Sequence, residues 1–153
     1  MFSLAHSFRW SDFILPSTLQ LNFQLRLLLE PIRSKKIRER VELGLQEALV
    51  NAVVHGNLND PQKALRVRRI VTPKWVVWQI QDEGIGFDKS KGVFCLPTNL
   101  QDENGRGLFL INKCFDDVRW SKKGNRLQLA CRKENQLMRR TARIFDFLSN
   151  PKK

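Results

Sequence analysis

Three short stretches of this chain, each at the end of a hydrophobic element, are polar or glycine-rich in a way that no packed core demands. Glu47 to Asn57 read E-A-L-V-N-A-V-V-H-G-N, Asp82 to Phe87 read D-E-G-I-G-F, and Asn104 to Phe109 read N-G-R-G-L-F. A fold that uses all three must bring two helix ends and one strand end to a common place. That requirement limits the architecture more than composition does.

The hydrophobic rhythm between these stretches predicts the elements. Phe13-Ile-Leu reads as a short strand or extended lead-in, stopped by Pro16. Ser17 is a candidate N-cap for a helix carrying Leu21, Leu25, Leu28 and Leu29, and Pro31 ends it. The basic segment Arg33 to Arg40 leads into a second helix of about twenty residues, with Ile37, Val41, Leu45, Ala48, Leu49 and Ala52 at 3.6-residue spacing. Gly56 can take the left-handed conformation that closes a helix, so the end is predicted near His55.

Leu65-Arg-Val-Arg alternates as a half-buried strand does, and Thr72-Pro73-Lys74 reads as a turn. Trp75 to Asp82 follows as a strand with Val76, Trp78, Ile80 and Asp82 on one face. Residues 88 to 103 are polar, carry Gly92 and Pro97, and read as a mobile loop. Gly107 to Phe115 is a short apolar helix. Val118-Arg-Trp and Arg126 to Arg132 are strands joined by a turn at Lys122 to Asn125. A last helix is predicted from about 135 to 148, with Leu137, Ile144, Phe145 and Leu148 on one face. The order of elements favours an antiparallel or mixed sheet with helices on one face, an α+β two-layer sandwich.

With 153 residues the chain suggests one domain. Cys95, Cys114 and Cys131 show no metal spacing and read as buried small hydrophobes in a reducing compartment. Arg9 and Asp12 interrupt the N-terminal apolar residues, so no signal peptide is expected. No apolar run is long enough for a membrane span, and a cytoplasmic protein is expected. The net charge of +12 attracts anionic partners without choosing among them. The basic runs at 33–40 and 66–69 hold no interleaved aromatics, which argues against nucleic acid.

Glu47, Asn51 and His55 fall at i, i+4 and i+8, one nearly straight row on a helix. If that row faces a cleft, Asn51 offers a neutral oxygen suited to Mg²⁺ and Glu47 can accept a proton from an attacking hydroxyl. Asp82 lies on the buried face of its strand, where a carboxylate needs hydrogen-bond donors, and the exocyclic amine of adenine is one. Gly84 and Gly86 let the backbone approach a flat base. Gly105-Arg106-Gly107 stands before a helix, where backbone N–H groups and a guanidinium favour phosphates. The stretch is neither a Walker A loop nor a Rossmann fingerprint.

Taken together, the three pieces resemble the GHKL superfamily of Bergerat-fold ATPases. Glu47 to Asn57 looks like the N box, Asp82 to Phe87 the D-x-G-x-G box, and Asn104 to Leu110 the G-x-G box. Within the superfamily the chain most resembles the anti-sigma-factor serine/threonine kinases, through E-A-x-x-N-A-x-x-H-G and Gly107-Leu-Phe-Leu-Ile followed by Asp116-Asp-Val. The resemblance covers residues 13 to 133, a histidine-kinase-like ATPase domain, and leaves 134–153 as a basic helical extension.

It implies a mixed sheet under about three helices, and ATP with Mg²⁺ held between the Glu47–His55 helix and the loop at 88–103. The implied nucleotide residues are Asn51, His55, Asp82, Gly84, Gly86, Asn104, Gly105, Arg106, Gly107 and Leu108, with Asn51 on the metal and Glu47 catalytic. It further implies an anti-anti-sigma STAS protein as phosphoacceptor, a sigma factor as second partner, and a homodimer. Glu103 stands where the best-known branch carries Arg.

Overall fold

The computed structural model describes residues 8–86 and 103–133, with backbone alone for 103–105. Of the predicted loop at 88–103 all but Glu103, which begins a helix, lies outside these residues, as do the C-terminal helix, Phe87 and Cys95.

Five strands form one sheet: β1 (Arg9–Pro16), β2 (Ala64–Val71), β3 (Trp75–Gln81), β4 (Asp117–Trp120) and β5 (Arg126–Arg132). Their order is β1-β2-β3-β5-β4. The sheet, expected to be mixed, is antiparallel at all four pairings. Two of the four are hairpins, since β2 and β3 turn through Thr72–Lys74, and β4 and β5 through 121–125; β1–β2 and β3–β5 are joined by longer connections. At the first turn the Thr72 hydroxyl accepts the Trp75 N–H at 2.9 Å. Among the described residues no strand pair is joined by the parallel crossover a mixed sheet needs.

Three helices cover one face: α1 (Asn22–Leu29), α2 (Lys35–Asn51) and α3 (Glu103–Cys114). Strand alternation supplies the floor, with Leu65, Val67, Val76, Trp78, Ile80, Leu127 and Leu129 buried against them. From above come Leu25, Leu28 and Leu29 of α1, Val41, Leu45 and Leu49 of α2, and Ile111 of α3. Trp78 is fully buried at the centre. Its indole N–H donates to the Leu28 carbonyl at 3.1 Å, and its ring meets Phe115 edge-on at 5.9 Å. Arg69 keeps the alternation of β2 but puts a charge on its buried face: it points inward, donates to the Leu27 carbonyl at 2.6 Å and pairs with Glu30 at 3.3 Å.

Two predicted helix ends differ. Ser17 caps nothing, because α1 begins only at Asn22, and Ser17 is instead buried. Gly56 does not close α2 in the left-handed region. The α-helix stops at Asn51 and one π turn, Ala52–Gly56, follows, with the Asn57 N–H donating to the Ala52 carbonyl at 2.8 Å. The left-handed residues come later, at Leu58 (φ 58°) and Asn59 (φ 56°).

Candidate functional site

The site begins with how closely α3 lies on α2. A Cβ at Gly44 would stand 2.5 Å from the Cys114 Cβ and 2.6 Å from the Phe115 ring, so the helices touch at backbone distance there. One to two turns along α2, a Cβ at Gly107 would stand 3.0 Å from Glu47 Oε2 and 3.5 Å from Asn51 Nδ2. Position 107 lies two turns before Cys114 on α3, so the helices run antiparallel and meet at both points. The last stretch of the motif is thereby brought onto the first.

Glu47 and Asn51 are both half-buried where α3 begins. The helix was expected to start at Gly107, but it starts at Glu103. Asn104, Gly105 and Arg106 therefore lie in its first turn, where the leading backbone N–H groups lack intrahelical acceptors, and Gly107 follows just after it. Arg106 is exposed, and Leu108 packs against the core. His55 lies on the π turn and is exposed.

Asp82 follows the end of β3, half-buried. Its Oδ1 accepts the Gly84 N–H at 2.8 Å. Burial pushes the carboxyl above the ordinary range, opposed by the Gly84 N–H, its own backbone, Lys123 and Lys63. A side chain at Gly56 would collide with the Asp82 carboxylate, and one at Gly84 with the Gly56 carbonyl. The second stretch thus rests directly on the end of the first. Gly86 has φ +84° and packs on the Lys123 carbonyl, a backbone state that favours glycine. From Asn51 to Gly56 is five residues, roughly 7 Å along a helical path, so Asp82 and Asn51 belong to one region.

One residue of this region carried no assigned role in the sequence. Asn57 is fully buried. Its Nδ2 donates to Ser17 Oγ at 3.2 Å and to the Ala64 carbonyl at 3.1 Å, and its Oδ1 accepts the Glu83 N–H at 2.8 Å. The Glu83 carboxylate in turn accepts the Ala64 N–H at 2.8 Å. The available signal was a lone carboxamide closing an otherwise apolar helix end, but its partners are distant in sequence.

A cavity of about 330 Å³ reaches Asp82 and Gly84 from the strand side, lined also by Arg66, Gln81, Lys123 and Asn125. Glu47, Asn51 and Gly107 do not line it. With no Cβ at position 107, α3 comes to rest against Glu47 and Asn51. Among the described residues no three His, Cys, Asp or Glu side chains cluster, and Mg²⁺, which keeps several waters, needs no such cage. One carboxamide beside one carboxylate at a helix start fits a hydrated metal–phosphate group.

The architecture and the meeting of the three stretches define a Bergerat-type ATPase fold. A family model, the histidine kinase-like ATPase domain, matches residues 28–131, and the chain belongs to that family. ATP binding goes with membership. A comparison with curated proteins gave no match. Among the described residues no helix is long and apolar enough to cross a membrane.

Proposed function

We propose that this protein is a Mg-ATP-dependent serine kinase and anti-sigma factor of the cytoplasm, which binds a sigma factor and phosphorylates an anti-anti-sigma STAS protein. The observation that carries this reading is Gly107 lying against both Glu47 and Asn51. It sets a carboxylate and a carboxamide beside a run of helix N–H groups. Magnesium, when bound, neutralises the phosphate oxygens on which charge develops. Asn51 offers the metal its Oδ1, and the first turn of α3 with Arg106 binds phosphates. Glu47 would accept the proton of the serine hydroxyl as that oxygen attacks the γ-phosphorus and the bond to the β,γ-bridging oxygen breaks, releasing ADP. Asp82 accepts the exocyclic amine of adenine, with Gly84 and Gly86 close to the base.

Glu47 also favours a hydroxyl acceptor over histidine, because a histidine phosphoacceptor needs no base to deprotonate it. The resemblance to anti-sigma kinases supplies the partners and the homodimer. Incubation with Mg-ATP and a candidate STAS protein is expected to place phosphate on a partner serine, and Glu47→Ala to abolish transfer. The second reading, an ATP-binding partner switch without transfer, is favoured by Glu103 at the position before the G-x-G box. ATP binding with no transfer to any cognate partner selects it.

A further inference from the structure

We infer that Asn57 is a positioning residue for base recognition, holding Asp82 in register with the end of the N-box helix. The inference rests on the reading of Asp82 as the group that accepts the adenine amine. Asn57 is fully buried and uses both ends of its carboxamide. The Nδ2 end ties the chain after β1, at Ser17, to the start of β2, at Ala64. The Oδ1 end takes the N–H of Glu83, the peptide that leaves Asp82. One residue on, the Gly84 N–H holds the Asp82 carboxylate. Fixing the peptide between Asp82 and Glu83 therefore fixes the turn that aims this carboxylate.

Asn57 also follows Gly56 directly, and Gly56 is the residue on which Asp82 rests. A buried carboxamide with donors and acceptor all matched is the one side chain of this size that serves both sides at once. The backbone after it is unusual too. Leu58 and Asn59 are consecutive left-handed residues without being glycine, a conformation kept only where surrounding contacts impose it. The bonds of Asn57 are such contacts.

The two ends of the carboxamide predict separable effects. Base selectivity follows the Oδ1 bond to Glu83, and stability follows the Nδ2 bonds. Calorimetry of the full chain with ATP and with inosine triphosphate, which presents a carbonyl oxygen in place of the amine, reads the first. Thermal unfolding reads the second. The wild type is expected to prefer ATP by on the order of 10-fold or more. Asn57→Ala loses that preference. Asn57→Asp keeps an acceptor for Glu83 and Ser17→Ala keeps the whole Oδ1 contact, so both unfold at lower temperature but still discriminate.

Retention of the wild-type ratio in Asn57→Ala overturns the inference. So does its loss in Ser17→Ala or Asn57→Asp, and these two variants decide the matter if Asn57→Ala does not fold. A wild type that binds both nucleotides equally removes the adenine reading of Asp82 itself, and this inference with it.

Discussion

Replacing Gly107 by alanine separates stability from function in opposite directions. Position 107 is the fifth residue of α3, and a helix-interior Gly→Ala change favours the helix by up to about 1 kcal/mol. The new methyl stands 3.0 Å from Glu47 Oε2 and 3.5 Å from Asn51 Nδ2. The closer atom is the far end of a flexible side chain, so Glu47 can yield by a few tenths of an ångström at small cost. The expected stability change is thus between zero and a gain of about 0.5 kcal/mol. That is a rise in Tm of roughly 1–2 °C for a domain of this size.

Ligand binding moves the other way. The methyl fills the space over the carboxamide assigned to the metal and displaces the carboxylate assigned to the proton. Affinity for Mg-ATP is expected to fall on the order of 10-fold, about 1.4 kcal/mol. Phosphoryl transfer, which depends on the position of Glu47 as well, falls by roughly 100-fold. Calorimetry with Mg-ATP, differential scanning fluorimetry and a transfer assay measure the three quantities. A variant that binds Mg-ATP with wild-type affinity shows that the phosphates do not sit above Glu47 and Asn51, and the reasoning fails there.

Gly44→Ala forces a methyl into Cys114 and Phe115, where the obstacle is core rather than a flexible tip. A loss of about 1–3 kcal/mol in chemical denaturation is expected, and nucleotide affinity falls too because α3 carries Gly107 outward. Burial raises the Asp82 pKa, so its contribution to stability is full below the unfolded value of 3.8 and is lost as pH rises through the higher folded value. Adenine needs the ionised acceptor, so ATP affinity instead falls on acidification, with a midpoint above 3.8. Asp82→Asn removes that acid limb, and calorimetry from pH 4 to 7 tests it. Burial drives the Cys131 thiol to about 11 and raises that of Cys114 as well. Iodoacetamide at about pH 8 is therefore expected to label neither in the native protein and both after unfolding, read by peptide mass spectrometry.

What the sequence made legible divides by range. Alternation in β2 and β3 and the 3.6-residue rhythm of α2 are local signals, and those elements stand where the pattern put them, except that α2 gives way to a π turn at Ala52. Ser17 was mistaken for a cap because a serine after proline and before an apolar run carries a local signature. Its real partner, Asn57, is forty residues away. Gly56 carried the local signature of a helix end, but the contact that requires glycine there is with Asp82 across the fold. Gly44 carried no signal, since a glycine inside a helix shows its reason only once Cys114 and Phe115 are placed beside it. The candidate site followed the same division. The motif residues could be named from their spacing, whereas the π turn that carries His55 is not encoded in periodicity.

These long-range contacts have a common consequence for the site. In the proposed reading the metal-binding and base-binding ends are carried by different elements, so their separation must be set by something other than either motif. On one side, the contact of Gly44 with Cys114 and Phe115 sets the height of α3 over α2, and with it the place of Gly107 over Glu47 and Asn51. On the other, Gly56 and Asn57 hold the turn after β3 against the end of the π turn. Both contacts act on one continuous helical segment, from Gly44 to Asn57. A nucleotide that spans from base to phosphates therefore meets two anchors whose spacing is fixed by that segment. Shortening the π turn by one residue should rotate and draw in the base anchor while leaving Glu47 and Asn51 in place. The loss would then fall on base selectivity before it falls on metal dependence.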